Sequence, residues 1–185
     1  MNRHSKIMQK ENSALLVIDI QEKLLPVIFE IERVVGNSVK LIKGFRALNV
    51  PVFCTEQYPK GLARTEPKIK EALGDVIPLE KMSFSCSGAG NLFNDFVDKG
   101  IKHIVLCGIE SHVCVVQTAL DLIANGFHAH VAADAVSSRR KFDFEIGLER
   151  MRSNGVEVTL TESVLFEMLN VSGTDEFKII SKLVK

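Results

Sequence analysis

The chain has 185 residues, 46% of them hydrophobic and 25% charged, enough to bury one good core. Its 23 basic and 23 acidic residues cancel, and the longest basic cluster is only Arg139-Arg140-Lys141, so the footprint of a nucleic-acid or anionic-membrane binder is missing. Four cysteines without pairing or CxxC spacing exclude a disulfide framework and a zinc or dithiol motif, and lead us to expect reduced thiols in a cytoplasmic protein.

In chain order, the basic start (Arg3, His4, Lys6, Lys10) lacks the apolar core of a secretory signal, although an organelle-targeting reading stays open. Residues 14–19 read as a buried strand too short to span a membrane. Further strands are expected over residues 51–55, 76–79, 103–108, 128–132 and 156–159. Helical periodicity runs over 31–48, 67–73, 91–99, 113–125, 142–153, 162–169 and 175–184. Gly100, Gly126 and Gly155 read as helix ends that lead into the next strand. This alternation predicts an α/β fold: a single three-layer domain over residues 1–185, its core over about 12–170 and a C-terminal helix over 175–184. The sheet would be parallel, with helices on both faces.

In such sheets, ligands bind at the carboxyl ends of the strands. Asp19 ends the first strand, Glu56 and Gln57 follow the second, and Lys81 follows the third. Cys114, in Gly108-Ile109-Glu110-Ser111-His112-Val113-Cys114, lies just beyond the fourth. Each has a plain structural explanation, since aspartates cap turns, lysines are solvated and cysteines fill cores. Together they fall where the fold places chemistry. Ser111 is read as an N-cap that sets Cys114 in the first helical turn, where the helix dipole favours thiolate. Cys54 and Cys107 sit in apolar runs and read as core, whereas Cys86 lies in a loop pattern with its role open.

Two motifs are discarded. Gly88-Ala89-Gly90-Asn91-Leu92-Phe93 lacks the third glycine and the preceding strand of a dinucleotide fingerprint. Ser111 has Ile109 and Val113 where a GxSxG elbow needs glycines. His112 is two residues from Cys114 and would point to another side of the helix, so a Cys–His pair is not expected.

Three segments, Ala14-Leu15-Leu16-Val17-Ile18-Asp19-Ile20-Gln21, Leu79-Glu80-Lys81-Met82-Ser83-Phe84-Ser85 and Gly108-Ile109-Glu110-Ser111-His112-Val113-Cys114-Val115, resemble the isochorismatase-like cysteine hydrolases. Ala133-Asp134-Ala135-Val136-Ser137-Ser138-Arg139 is similar to the family as well. The resemblance covers nearly the whole chain. It implies an Asp19–Lys81–Cys114 triad on a six-stranded sheet of order 3-2-1-4-5-6. It also implies a cis peptide between Ile109 and Glu110, an oxyanion hole from the N–H groups of Glu110 and Cys114, and a homo-oligomer. Isochorismatase proper lacks the cysteine, so Cys114 argues against its vinyl-ether chemistry. Family nicotinamidases carry an Asp–Trp–His metal motif after the second strand. This chain has Thr55-Glu56-Gln57-Tyr58-Pro59 there and no tryptophan, so neither metal nor other cofactor is expected.

The expected activity is hydrolysis of a C–N bond in a small amide, carbamoyl or ureido compound through a thioester. Gln21, Gln57, Tyr58, Phe84 and His112 are the candidates for binding the substrate. Two alternatives stand beside it: a reactive-thiol redox or stress protein with Cys86 as resolving partner, and a non-catalytic oligomeric family member.

Overall fold

The computed structural model describes residues 3–185. Strands β1 (Ser13–Ile18), β2 (Val52–Gln57), β3 (Leu79–Lys81), β4 (His103–Ile109), β5 (His128–Ser137) and β6 (Glu157–Thr159) form one sheet. All neighbours pair in parallel, in the order β3-β2-β1-β4-β5-β6. The helices are α1 (Ile31–Ala47), α2 (Pro59–Leu62), α3 (Pro67–Leu73), α4 (Leu92–Asp98), α5 (Val116–Ala124), α6 (Lys141–Ser153), α7 (Thr161–Leu169) and α8 (Asp175–Val184).

Burial on both faces explains why β1 and β4 read as unbroken apolar runs rather than alternating ones. Leu15, Val17, Val105 and Cys107 pack on one face with Phe45 of α1, Ile69 of α3, Leu165 of α7 and Ile180 of α8. Ala14, Leu16, Ile18, Ile104 and Leu106 pack on the other with Phe96 of α4, Ala119 of α5 and Met151 of α6. The expected α/β architecture and strand order are those observed.

Three elements differ from the sequence reading. β3 lies later than expected, over Leu79–Lys81, so Lys81 ends the strand rather than following it. It pairs there with Gln57, to which β2 also extends. β5 runs on to Ser137. It matches β4 up to Leu106↔Val131, leaves register, and rejoins it at Gly108↔Val136. The residues between are held from α1, where Arg33 donates to Ala133 O at 3.3 Å and Asn37 to Asp134 O at 2.8 Å. Asp134 in turn accepts from Thr161 N and Oγ1 at the start of α7, at 2.8 and 2.9 Å. Such an excursion has no period, so alternation ended the expected strand too early.

At the opposite end of the strands, His103 Nδ1 and His130 Nε2 lie 3.0 Å apart, and the His128 ring stacks on His103 at 4.7 Å. Burial pushes both His103 and His130 down to about 4, helped by the neighbouring imidazoles. Their folded pKa values lie below the unfolded value of about 6.5. The unfolded chain therefore binds more protons between those limits, and stability is full above the higher one and lost as pH falls toward the lower. Melting temperature is expected to drop steadily between pH 6.5 and 4.5, with a shallower slope in a His103→Asn/His130→Asn variant. An unchanged slope in that variant would assign the acid sensitivity elsewhere.

Candidate active site

Asp19 leaves β1 with a left-handed backbone, φ 52, its N–H donating to Thr55 O at 3.2 Å. Aspartate tolerates this region better than most residues with a Cβ. On β4, Gly108 has φ 120, and a Cβ added to it would lie 2.0 Å from Ile18 O. The two strands therefore meet beside Asp19 at a distance that only glycine permits. The next peptide, Ile109–Glu110, is cis.

Beyond it the chain does not start an α-helix at once. Ser111–Val115 forms a π-helical turn in which Val113 N and Val115 N both donate to Glu110 O at 3.1 Å. Ser111 is consequently not the N-cap. It lies inside the turn, fully buried, and its Oγ has no hydrogen-bond partner. π turns of this kind recur at functional sites, and this one carries Cys114.

The topology brings Asp19, Lys81 and Cys114 together. Lys81 Nζ lies 2.7 Å from Asp19 Oδ2, with both side chains withdrawn from solvent. Its donors are satisfied by Gln57 Oε1 at 2.7 Å, Phe84 O at 2.9 Å and Ser83 O at 3.1 Å. The ammonium thus meets three neutral oxygens as well as the Asp19 carboxylate, which it holds as a close ion pair. Asp19 Oδ1 accepts from Thr55 Oγ1 at 2.8 Å, and the Cys114 thiol lies close enough for the carboxylate and the sulfur to perturb each other's ionisation.

Burial lifts the Asp19 carboxyl above its ordinary range, while the Lys81 ammonium and the Thr55 hydroxyl pull it partly back. Burial also pushes the Cys114 thiol far above the ordinary thiol range, and the Asp19 charge adds to this against Lys81. Both effects oppose the thiolate at rest. This corrects the expectation drawn from the helix N-terminus, because desolvation and an adjacent carboxylate outweigh a partial dipole charge. Cys86, expected in a loop, is a buried residue that opens a 3-10 turn, with its thiol 3.6 Å from Thr55 Oγ1 and raised by burial to about 11. Cys54 and Cys107 are core residues as expected.

The candidate binding residues separate. Gln21 is fully buried and spends its amide on the backbone, donating to Gln57 O and Ala63 O and accepting from Gln57 N. It is a strut between β1 and β2, which corrects its assignment to the pocket. Gln57 holds Lys81 and donates to Met82 O at 2.9 Å. Tyr58 borders a cavity of about 650 Å³ together with Lys60, Lys81, Met82 and Ser83. The Phe84 ring is exposed, while its carbonyl faces Lys81. His112 borders a second cavity of about 440 Å³ with Glu110, Val113, Arg139, Arg140 and Asp143. A larger one, about 920 Å³, lies at the far end of the strands beside Arg3, Lys10 and Leu169.

Thr55, Thr118 and Ser138 were not singled out from sequence. Thr118 Oγ1 donates to Cys114 O at 2.7 Å and accepts from Cys86 N at 3.0 Å, fixing both cysteine backbones. Thr55 carries the one usable signal, a hydroxyl at the end of an apolar strand beside the strand that ends in Asp19. Glu56, expected beyond the second strand, lies within β2 and is engaged by Arg64 and Thr65. Among the described residues, no group of three or more His, Cys, Asp or Glu side chains is placed to hold a metal ion.

The Isochorismatase domain family matches residues 13–163. The chain belongs to the isochorismatase family. It is 38% identical to isochorismatase domain-containing protein 2 of Danio rerio, covering 96% of this chain and 89% of the relative. It is also 38% identical to the secreted isochorismatase effector Isc1 of Phytophthora sojae, over 94% and 85% of the two chains. A solved structure described as MAR1 ribonuclease from Caenorhabditis elegans superposes with a TM-score of 0.91 at 36% identity, covering 96% and 91%. These similarities support an isochorismatase-family hydrolase. One of these relatives being secreted, buried reduced thiols do not fix a compartment for this family member. Among the described residues, no helix is long and apolar enough to cross a membrane.

Proposed function

We propose that this protein is a cysteine hydrolase that cleaves the C–N bond of a small amide, carbamoyl or ureido compound. The observation that carries the reading is the buried carboxylate of Asp19, set between the ammonium of Lys81 and the thiol of Cys114. Asp19 takes the thiol proton as the sulfur attacks the substrate carbonyl, so thiolate forms only as it is consumed. Lys81 works against the effect of burial on the Asp19 carboxyl and offsets the charge on sulfur. The N–H groups of Glu110 and Cys114 receive the oxyanion, worth roughly 3 kcal/mol per donor in comparable sites. The tetrahedral adduct collapses, Asp19 returns the proton to the departing nitrogen, and a thioester remains on Cys114. Water, deprotonated by Asp19, then attacks that thioester. The acid leaves, and the proton passes back to sulfur.

Burial and the adjacent carboxylate both oppose a free thiolate at Cys114, which disfavours the redox reading. A non-catalytic role gives no reason to bury an ion pair against a thiol. The kinship with a structure named a ribonuclease brings RNA cleavage in as a second reading. The balance of 23 basic against 23 acidic residues offers an RNA backbone little attraction. The same reading takes the protein as a homo-oligomer, since Tyr58, Met82 and Phe84 leave apolar surface exposed beside the site.

Incubation with a panel of small amides, carbamoyl and ureido compounds is expected to release ammonia or amine from at least one. Turnover should survive exhaustive chelation and vanish in Cys114→Ala and Cys114→Ser. Quenched samples should carry the acyl mass on the Cys114 peptide. Cleavage of RNA that persists in Cys114→Ala, with no amide turned over, would replace this reading with the second.

A further inference from the structure

Thr55 comes to lie beside Asp19 because β2 and β1 run in register there, with Thr55 opposite Ile18. On its other side Thr55 pairs with Leu79 of β3, so its backbone is held from both edges. It meets Asp19 twice. Its carbonyl accepts from Asp19 N at 3.2 Å, and its hydroxyl donates to Asp19 Oδ1 at 2.8 Å. The residue is fully buried, and a β-branched side chain has little rotamer freedom, so the hydroxyl has no solvent to turn to.

A hydroxyl has a single hydrogen. Asp19 takes that of Thr55, which leaves Thr55 Oγ1 as an acceptor toward the Cys86 thiol, 3.6 Å away. Cys86 is itself held, its N–H donating to Thr118 Oγ1 at 3.0 Å. The direction of the hydroxyl is thus set from behind, by a buried thiol that the proposed reaction does not otherwise use. The titratable side chains that act on or with Asp19 are Lys81 of β3, Cys114 of the π turn, Cys86 of the 3-10 turn and Cys54 of β2. Burial raises the Asp19 carboxyl, and Lys81 and then Thr55 are the largest influences against it. Lys81 also serves three neutral oxygens, whereas the Thr55 hydroxyl has one hydrogen and one carboxylate to give it to.

We infer that Thr55 is a positioning residue, whose hydroxyl fixes the orientation of the Asp19 carboxylate and holds it ready to take the Cys114 proton. The inference rests on the amide-hydrolase reading for the step it serves, yet its effect on Asp19 is measurable without a substrate. A carboxylate that loses this donor gains affinity for protons from solvent, and once protonated it has no place for the thiol proton. Being fully buried, Thr55 offers a substrate nothing to bind, so its loss acts on turnover and not on affinity.

The experiment uses the full chain as Thr55→Val, which keeps the shape without the hydroxyl, and Thr55→Ser, which keeps the hydroxyl. The ionisation of Asp19 is followed by carbon-13 NMR of its labelled carboxyl. In Thr55→Val its midpoint is expected to rise by about one pH unit or more, the scale of one hydrogen bond to a charged group. Thr55→Ser should restore most of it. With an amide that the wild type hydrolyses, the acid limb of kcat should move up by the same amount in Thr55→Val, while KM stays within about twofold. A threonine with only a structural role would lower the melting temperature of Thr55→Val and leave the Asp19 midpoint in place, and that result overturns the inference. So does a Thr55→Ser protein that titrates like Thr55→Val. Should Thr55→Val not fold, Thr55→Ala gives the same measurement without added bulk. A shifted Asp19 midpoint in a chain whose wild type turns over no amide would remove the amide reading and leave the hold of Thr55 on Asp19 standing.

Discussion

Asp19→Asn is expected to lose turnover by about 100- to 10,000-fold, the range that general acid–base catalysis contributes. Asparagine suits the test because it also tolerates the left-handed backbone at φ 52 and can still accept from Thr55 Oγ1. An amide can neither take the thiol proton nor return it to the departing nitrogen. Stability falls as well, because Lys81 is then a buried ammonium with no counter-charge, and removing one partner of such a pair costs on the order of 3–5 kcal/mol. A capping aspartate would cost at most about 1 kcal/mol. The two effects separate in Asp19→Asn/Lys81→Met, which should regain most of the melting temperature and none of the turnover. Near-wild-type hydrolysis in the single variant would mean that Cys114 gives up its proton by another route.

Gly108→Ala is expected to abolish the folded state under ordinary conditions, at a cost of about 4 kcal/mol or more. The added methyl would lie 2.0 Å from Ile18 O and 2.8 Å from Ile18 N and C. These are backbone atoms in the central strand, so no rotamer relieves the contact, and φ 120 is itself unfavourable for alanine. Expression as insoluble protein, or a melting transition lowered beyond recovery by ligands, is the outcome to look for by circular dichroism. A soluble Gly108→Ala protein melting within a few degrees of wild type would show that β1 and β4 are less closely packed than described.

Much of this arrangement is legible in the sequence, because the strands that carry it are buried on both faces. Continuous apolar runs such as those leading to Asp19 and through Cys107 have one plausible fate, and the strand-end rule then gathers Asp19, Lys81 and Cys114. What escapes depends on geometry with no period. The π turn replaces an ordinary helix start because two N–H groups compete for Glu110 O, and this displaces Ser111 from the cap. Gln21 looks like a ligand-binding amide until Gln57 and Ala63 are seen to claim it. The protonation of Cys114 is a balance of burial against nearby charges, and burial depends on packing that no local motif records.

The excursion of β5 between Val131 and Val136 divides the molecule's labour. The groups proposed to break the bond hang from β1, β3 and the turn after β4, whereas Ser138 and the arginines follow directly from β5. Residues 132–135 lie outside the shared register, anchored to α1 and α7 by Asn37 and Thr161. Ala132 and Ala135 are fully buried in the core with Val105 and Cys107, so variation here is open chiefly at Ala133 and in the turn that follows. On the proposed reading, the groups that carry the reaction and the stretch that follows β5 belong to different parts of the chain, so one can vary while the other is retained. A combinatorial library confined to this ledge and the turn after it is accordingly the shortest route to altered preference.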